Sequence, residues 1–445
     1  GFDRDDFAFK AADFLASRED LKGNVFNWTA GQGDAIVWRA GPGRKTFIDS
    51  RSHLFPDALL GQHRRLLDGL RDDDPSAWRE VFDRYKVSAV MIDAESARNT
   101  YRRLFQSPNW LPFYDDGKVV MFGRSDAPDP DLTMFRSNRL DPDQRAYKVA
   151  ATFPAADRPP TPVGLLDDFS QSRALTPPRS AINAARRWLT GGVGPDGTPA
   201  PPDPARCLLA IRDARSALAE NPDDTDAYRV LALAYRALAQ QEAALISKVE
   251  LTPENRDRIA AIRPGGPLMA ERLKQIVTAL NYAIQTTPPP RTVEDRRELI
   301  SLRFELFELF GQLGFVDLAR DQLRAALDLA KPGDMAAEAR LQYQTQLQQL
   351  DEQVSQVEKA ASDLRIERQA GPVELGQFAL AQGAAGLAIT EFEAAHRSNL
   401  SPTLVKPQLL DLYCSTGQPE RALEVIAPTG ATDPSLGDPA TAAFR

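Results

Sequence analysis

The sequence predicts an N-terminal α/β domain, a connector rich in proline and glycine, and a C-terminal all-α solenoid of helical hairpins. Three observations carry this reading. Over residues 1–124, short apolar runs of strand type alternate with stretches of helical periodicity. Between 125 and 204 prolines and glycines cluster, and they break both helix and strand. Beyond 205 strand patterns vanish and similar residues recur with a period near 34, the mark of stacked helical repeats. At 445 residues the chain exceeds one ordinary core, which agrees with two or three domains.

In the first segment Phe7, Ala11, Phe14 and Leu15 share one face of a helix. Lys22-Gly23 ends it, and 24–28 reads as a strand. A second helix opens at 35–38 and stops at Gly41-Pro42-Gly43, after which 46–49 reads as a second strand. Helices follow at 59–70 and 77–85, and 88–92 is the best buried strand of the chain. One more helix, 97–105, precedes two strand-like runs, 111–114 and 118–122, that flank Asp115-Asp116-Gly117 as a hairpin does. Strands separated by helices imply an α/β sheet with an antiparallel last pair.

The connector, 125–204, holds one helical stretch at 180–189, and 191–203 is its most mobile part by composition. In the third segment Ala379, Gly383, Ala388 and Phe392 precede Tyr413, Gly417, Ala422 and Ile426 by 34 residues. Ala210 and Ala244 repeat the spacing, and Phe310, Gly314 and Ala319 lie 69 residues, about two periods, before the first set. Large residues pack a first helix, glycine turns the chain and alanine admits a second helix at close range. Ala210, Ala214, Ala217 and Pro222 match the second half of such a unit, and Tyr228, Leu231, Ala232 and Tyr235 the next first helix. On these positions the chain resembles the tetratricopeptide family over 205–428, followed by a tail, 431–445. Two irregularities interrupt it. Residues 254–267 read as an insertion, and Tyr343, Leu347, Leu350, Val354, Val357, Ala361 and Leu364 form a 4-3 seam over 335–367. That seam suits a long arm packed within the chain or a coiled coil between chains.

The N-terminal segment carries a second likeness, in Gly23-Asn24-Val25-Phe26-Asn27-Trp28, in the run from Gly31 to Trp38, and in Thr46-Phe47-Ile48-Asp49-Ser50-Arg51. Residues 5–124 resemble the extracytoplasmic domain that follows the membrane helices of bacterial multi-spanning glycosyltransferase-like proteins. The resemblance implies an extracytoplasmic, membrane-anchored location, reached through a segment preceding Gly1. It brings no catalytic residue, because the acidic catalytic groups of that family lie in its membrane part. Gly1 in place of methionine fits a piece of something longer.

Little in the sequence points to chemistry. A net charge of -8 argues against nucleic acid or an anionic membrane surface as the main partner. His53, His63 and His396 assemble no triad or metal cluster by spacing, Cys207 and Cys414 lie far apart, and no cofactor or metal is expected. Gly31-Gln32-Gly33 suits a turn or an anion cradle, but the third glycine of a dinucleotide fingerprint is Ile36. Asp49 and Arg51 close the expected strand 46–49, where α/β sheets place ligands; they fit a glycan contact or an ion pair. The resemblance to tetratricopeptide arrays implies a concave face built by first helices. Alignment on Tyr235, Phe310, Ala379 and Tyr413 puts Arg229, Arg236, Phe304, Glu308, Val373, Gln377 and Asp411 there. That set lacks a Lys/Asn carboxylate clamp, so a protein segment or another subunit is the expected partner. The other outcome is an inner face covered by the chain's own connector. The leading expectation is a protein–protein interaction scaffold. The alternative is the accessory, glycan-contacting domain of a membrane glycosyltransferase.

Overall fold

A computed structural model describes residues 8–94, 96–147, 156, 158–161, 178–190, 201–247, 252, 256, 260 and 266–426. Phe7, most of 191–203, most of the insertion 254–267 and the tail 431–445 lie outside the described residues. The described residues form eighteen α-helices and one four-stranded sheet, in two compact units. The first comprises 1–153 with 176–217, the second 154–175 with 218–445.

The first unit is built on β1 (Asn24–Asn27), β2 (Val87–Asp93), β3 (Trp110–Asp115) and β4 (Val119–Arg124), in the order β1-β2-β4-β3. β1 pairs parallel with β2, while β2–β4 and the hairpin β3–β4 are antiparallel. Alternation along the strands sorts the side chains between two cores. Val25, Ala89, Met91, Val119 and Met121 face α1 (Phe9–Ser17), α2 (Ala30–Ala40) and α6 (Asp131–Ser137). Phe26, Val90, Ile92, Val120 and Phe122 face α3 (Asp57–Asp72), α4 (Pro75–Arg84) and α5 (Arg98–Gln106). The middle strands are therefore apolar through their central residues, 89–92 and 119–122, as sheets covered on both faces require.

The strand expected at 46–49 is not formed. The side chain of Asn27 takes the place of a neighbouring strand. Its Oδ1 accepts from the Phe47 amide at 2.9 Å, and its Nδ2 donates to the Ile48 carbonyl at 2.8 Å. Phe47 still enters the core, edge-on to Phe26 at 5.2 Å. Gly31-Gln32-Gly33 likewise lies inside α2 and not in a turn. Thr29 and Gln32 close a reciprocal capping box there, and Gly33 packs so tightly that a Cβ would meet the Ile48 carbonyl oxygen at 1.9 Å.

Part of the expected connector belongs to this unit. Asp131 at the start of α6 is buried and accepts from the Gly23 amide at 2.8 Å and from the Ser88 hydroxyl. After α7 (Pro142–Tyr147), α8 (Arg179–Leu189) docks through Arg187, which bonds Asp115 and the Gly117 carbonyl. The division between units runs inside α9 (Pro204–Glu220), so Ala210, Ala214 and Ala217 belong by contact to the sheet-bearing unit.

The second unit consists of hairpins: α10 (Thr225–Ile246) with α11 (Pro267–Thr286), α12 (Val293–Leu313) with α13 (Val316–Leu329), α15 (Pro372–Ala381) with α16 (Ala385–Arg397), and α17 (Pro402–Ser415) with α18 (Pro419–Ile426). Three of the turns are closed alike. Gly314, Gly383 and Gly417 have φ of 76°, 74° and 73°, a region that residues with a Cβ rarely enter. In each, the amide after the glycine returns to the fourth carbonyl before it: Phe315 to Phe310, Ala384 to Ala379, and Gln418 to Tyr413, all at 2.8 Å. Ala319, Ala388 and Ala422, five residues after each glycine, are buried where the second helix crosses the first.

Between these hairpins lies one helix of 31 residues, α14 (Ala337–Glu367). Its seam packs within the chain. Tyr343 stacks on Phe304 at 4.4 Å, Val354 and Val357 are buried, and Asp351 pairs with Arg324 of α13.

His63 of α3 supplies a pH handle on the first unit. Its ring stacks on Phe26 at 5.0 Å and its Nε2 lies 3.1 Å from the Asn27 carbonyl, a contact that needs the proton on Nε2. Burial holds its pKa below the ordinary value, against a smaller upward pull from that carbonyl. The folded state thus resists protonation. Stability is full above about pH 6.5 and is lost as pH falls from there through the lowered folded pKa. Denaturant melts between pH 7.5 and 5 should show this loss, and His63→Gln should flatten it. An equal slope in both proteins refutes the assignment.

Candidate functional site

The first helices of the second unit hold most of the residues expected to face a partner. Arg229 and Arg236 lie seven apart on α10, and both turn to α12. Arg229 pairs with Glu298, and Arg236 with Glu305 at 2.9 Å. Glu298 and Glu305 are also seven apart, so the two helices run parallel and in register over two turns. Both arginines are about one-third exposed and each already has an acidic partner. At such exposure each pair is worth about 0–1 kcal/mol, so the ladder sets register more than stability. Arg229 also lines a groove of ≈ 470 Å³ with Glu294, Arg297, Glu298 and Glu305, floored by Leu280 and Leu302.

Glu308 belongs to a different groove. It stands exposed on the rim of a ≈ 530 Å³ cleft walled by α12, α13 and α14, whose floor is Phe307, Val316, Ala319 and Leu350 and whose rim adds Gln312 and Gln346. Gly311 lies in its wall, and a Cβ built there would meet no atom within 4 Å. The cleft is a predominantly apolar slot with amide and carboxylate groups at its edge, suited to an apolar side chain flanked by polar backbone.

The remaining expected residues do not join either groove. Phe304 is covered by Tyr343, and Val373 is half-buried against the core around Ala379 and Phe392. Gln377 is exposed, and Asp411 bonds Lys274 of α11 at 2.8 Å. Sequence reasoning missed Gly311, Gln312, Gln346 and Leu350. The one available signal was a glycine directly after Phe310 inside an amphipathic helix, with no turn to require it.

Asp49 and Arg51 form a closed pair, and not at a strand end. Arg51 donates its backbone amide and Nε to Oδ1 at 2.9 and 3.0 Å, and Nη2 to Oδ2 at 2.6 Å. Asp49 is 2% exposed, so only the outer edge of Arg51 could reach a sugar. The hydrogen bonds from Arg51, first among the causes, hold the Asp49 carboxyl below the usual range. The resulting stability is present above about pH 4 and is lost as pH falls through the lowered folded pKa.

Among the described residues no group of three or more His, Cys, Asp or Glu side chains could hold a metal ion, and no helix is long and apolar enough to cross a membrane. Cys207 and Cys414 are not joined in a disulfide. In comparison with known proteins, the chain matches no family model and no curated protein.

Asp49→Ala should lower stability by about 1 kcal/mol, since Arg51 can turn to water once its partner is removed. Chemical denaturation of the variant measures this. A variant as stable as the parent that had lost binding to a sugar would restore the ligand role.

Proposed function

We propose that this chain is a protein–protein interaction scaffold. In this reading its helical unit is a tetratricopeptide-like array that takes a partner segment into the cleft between α12, α13 and α14. The observation that carries the proposal is Gly311. Within a helix, glycine is about 1 kcal/mol less favourable than alanine. Here neither backbone conformation nor close packing asks for it, since its side-chain direction is open space above an apolar floor. A site kept open at a cost in helix stability fits occupation by something else. The 34-residue recurrence of αL glycines, and first helices that run parallel through Arg229 and Arg236, support the tetratricopeptide reading.

The test uses Gly311→Leu, which fills the cleft. Helical content and melting temperature should hold or rise. Peptides selected from a displayed library on the intact chain should bind the variant at least tenfold more weakly, about 1.4 kcal/mol. If no peptide is enriched, or if selected peptides bind both proteins equally, the cleft is not the binding site.

A second reading concerns the first unit, as an extracytoplasmic domain held against a membrane by a segment outside this chain. It is favoured by Trp38, 79% exposed, beside exposed Val37 on α2, with exposed Leu54 in the short 3₁₀ turn Ser52–Leu54. Arg39, Lys45 and Arg51, close to them in sequence, are exposed. Exposed tryptophan and aliphatic side chains with cations close in sequence suit a bilayer interface, here as a local feature of a chain whose net charge is -8. The chain should float with vesicles of phosphatidylcholine and phosphatidylglycerol, and Trp38→Ser with Leu54→Ser should abolish flotation. Flotation unchanged by both substitutions defeats the reading.

A further inference from the structure

Arg303 of α12 is half-buried and, among the described residues, has no acidic partner. Its Nη1 donates instead to a neutral group, the Oε1 of Gln322 on α13, at 2.9 Å. Acids along the same three helices are paired elsewhere: Glu298 with Arg229, Glu305 with Arg236, Asp321 with Arg320, and Asp351 with Arg324. Burial holds the Arg303 guanidinium below its ordinary pKa, and no neighbouring charge pulls it back. Arg272 and Arg296 of the same unit differ. Hydrogen bonds to Glu242 at 2.8 Å and to Asp334 at 2.6 Å raise both of them. A guanidinium does not shed its proton, so a half-buried one without an anion destabilises the fold that holds it.

Its donors are unequally placed. Nε is enclosed and unmatched, out of reach of any ligand. Nη1 holds Gln322. Nη2 makes no hydrogen bond and, unlike Nε, is not enclosed, so it is the face of the group that an anion can meet.

Position ties this group to the cleft beneath Gly311. Arg303 precedes Phe307 of the cleft floor by four residues on α12, and Gln322 follows Ala319 of the floor by three on α13. Residues at those spacings share a helix face. The contact between Arg303 and Gln322 therefore continues the seam of α12 and α13 about one turn, roughly 6 Å, from the floor. A segment seated on Phe307 and Ala319 reaches that point with a side chain close in sequence to its apolar anchor. The one charged residue lining the cleft, Glu308, is exposed, where water and salt screen it.

We propose that Arg303 receives a side-chain carboxylate of the partner segment. The inference rests on the cleft reading given above and names its ligand class, an acidic peptide. Such a peptide carries a large apolar residue with an Asp or Glu within about four positions of it. The carboxylate brings the anion that the fold itself does not provide, in a charge-assisted hydrogen bond stronger than one to an amide.

Linear peptides selected from a displayed library on the intact chain are resynthesised as C-terminal amides, so that only their side chains carry carboxylates. Exchanging the acid for its amide, Asp for Asn or Glu for Gln, should weaken binding to the parent chain at least tenfold. The same exchange should weaken binding to Arg303→Met by less than about twofold. Arg303→Met should melt no lower than the parent, because methionine fills the position without a desolvated charge. Arg303→Gln serves as the second variant. Peptides that lose affinity for Gly311→Leu but are indifferent to the acid, or feel its exchange equally in parent and variant, overturn the inference and leave the cleft standing. Peptides coupled to Arg303 that bind Gly311→Leu unchanged keep Arg303 as the anion site and remove the cleft. If no peptide is enriched, both fall.

Discussion

The turn at Gly314, Gly383 and Gly417 is the constraint on which the helical unit depends. A left-handed residue at the end of a first helix, with the following amide folded back on the helix, fixes the direction in which the second helix leaves. Because the direction is the same each time, hairpins of unlike length can still stack: 21 and 14 residues in α12 and α13, but 10 and 13 in α15 and α16. The turns also touch. The Val316 amide donates to the Gly383 carbonyl at 2.9 Å, and buried Asp317 receives the Ala385 and Gly386 amides at 3.0 and 2.7 Å. One hairpin thereby caps the N-terminus of a helix in another, where a carboxylate meets both unpaired amides and the positive end of the helix dipole. Burial raises the Asp317 carboxyl, and these amides pull it back.

With register set by the turns, the charged positions of the first helices are used within the chain. Arg229 and Arg236 find Glu298 and Glu305 at a separation of 69 residues, twice the period near 34, as the glycines Gly314 and Gly383 do. A surface already paired in this way offers an incoming segment little new electrostatic gain. The cleft at Gly311 has an apolar floor instead, and this is why the proposed binding is assigned there and not to the ladder.

How much of this was legible depended on whether the signal was local. Glycines at spacing 34 and 69, the Asp116-Gly117 hairpin and the apolar run of β2 all express backbone or burial demands of single positions, and they could be read directly. The segment 46–49 looked like a strand because Phe47 and Ile48 are apolar and one is buried. The deciding partner was the side chain of Asn27, twenty residues away, which no periodicity reveals. Asp131 and Arg187 were hidden similarly, because proline-rich surroundings suggested a connector while two polar side chains anchored it to the sheet. Site residues fared worst. Residues taken to face a partner were chosen by register on a family pattern, and that pattern is blind to cross-helix neighbours such as Tyr343 over Phe304. Arg102, Arg187 and Arg206, which line one small niche, come from α5, α8 and α9, and only the folded chain brings them together.

A last consequence follows from where α11 goes. In a linear repeat array each unit touches only its neighbours, so stability is a sum of local terms. Here α11 packs against the final hairpin: Lys274 reaches Asp411, 137 residues on, the Asn281 side chain donates to the Thr416 carbonyl at 2.7 Å, and Tyr282 bonds Glu420. The first and last hairpins of the unit are thus joined, and Asp411, expected on an open inner face, is held by the chain's own helix. Such a closure makes loss of either end costly to the other, which favours one cooperative transition over stepwise fraying. Asp411 is thus engaged by α11, whereas the apolar floor beneath Gly311, between α12, α13 and α14, is left open; for the segment proposed above, that cleft is the better-suited entry.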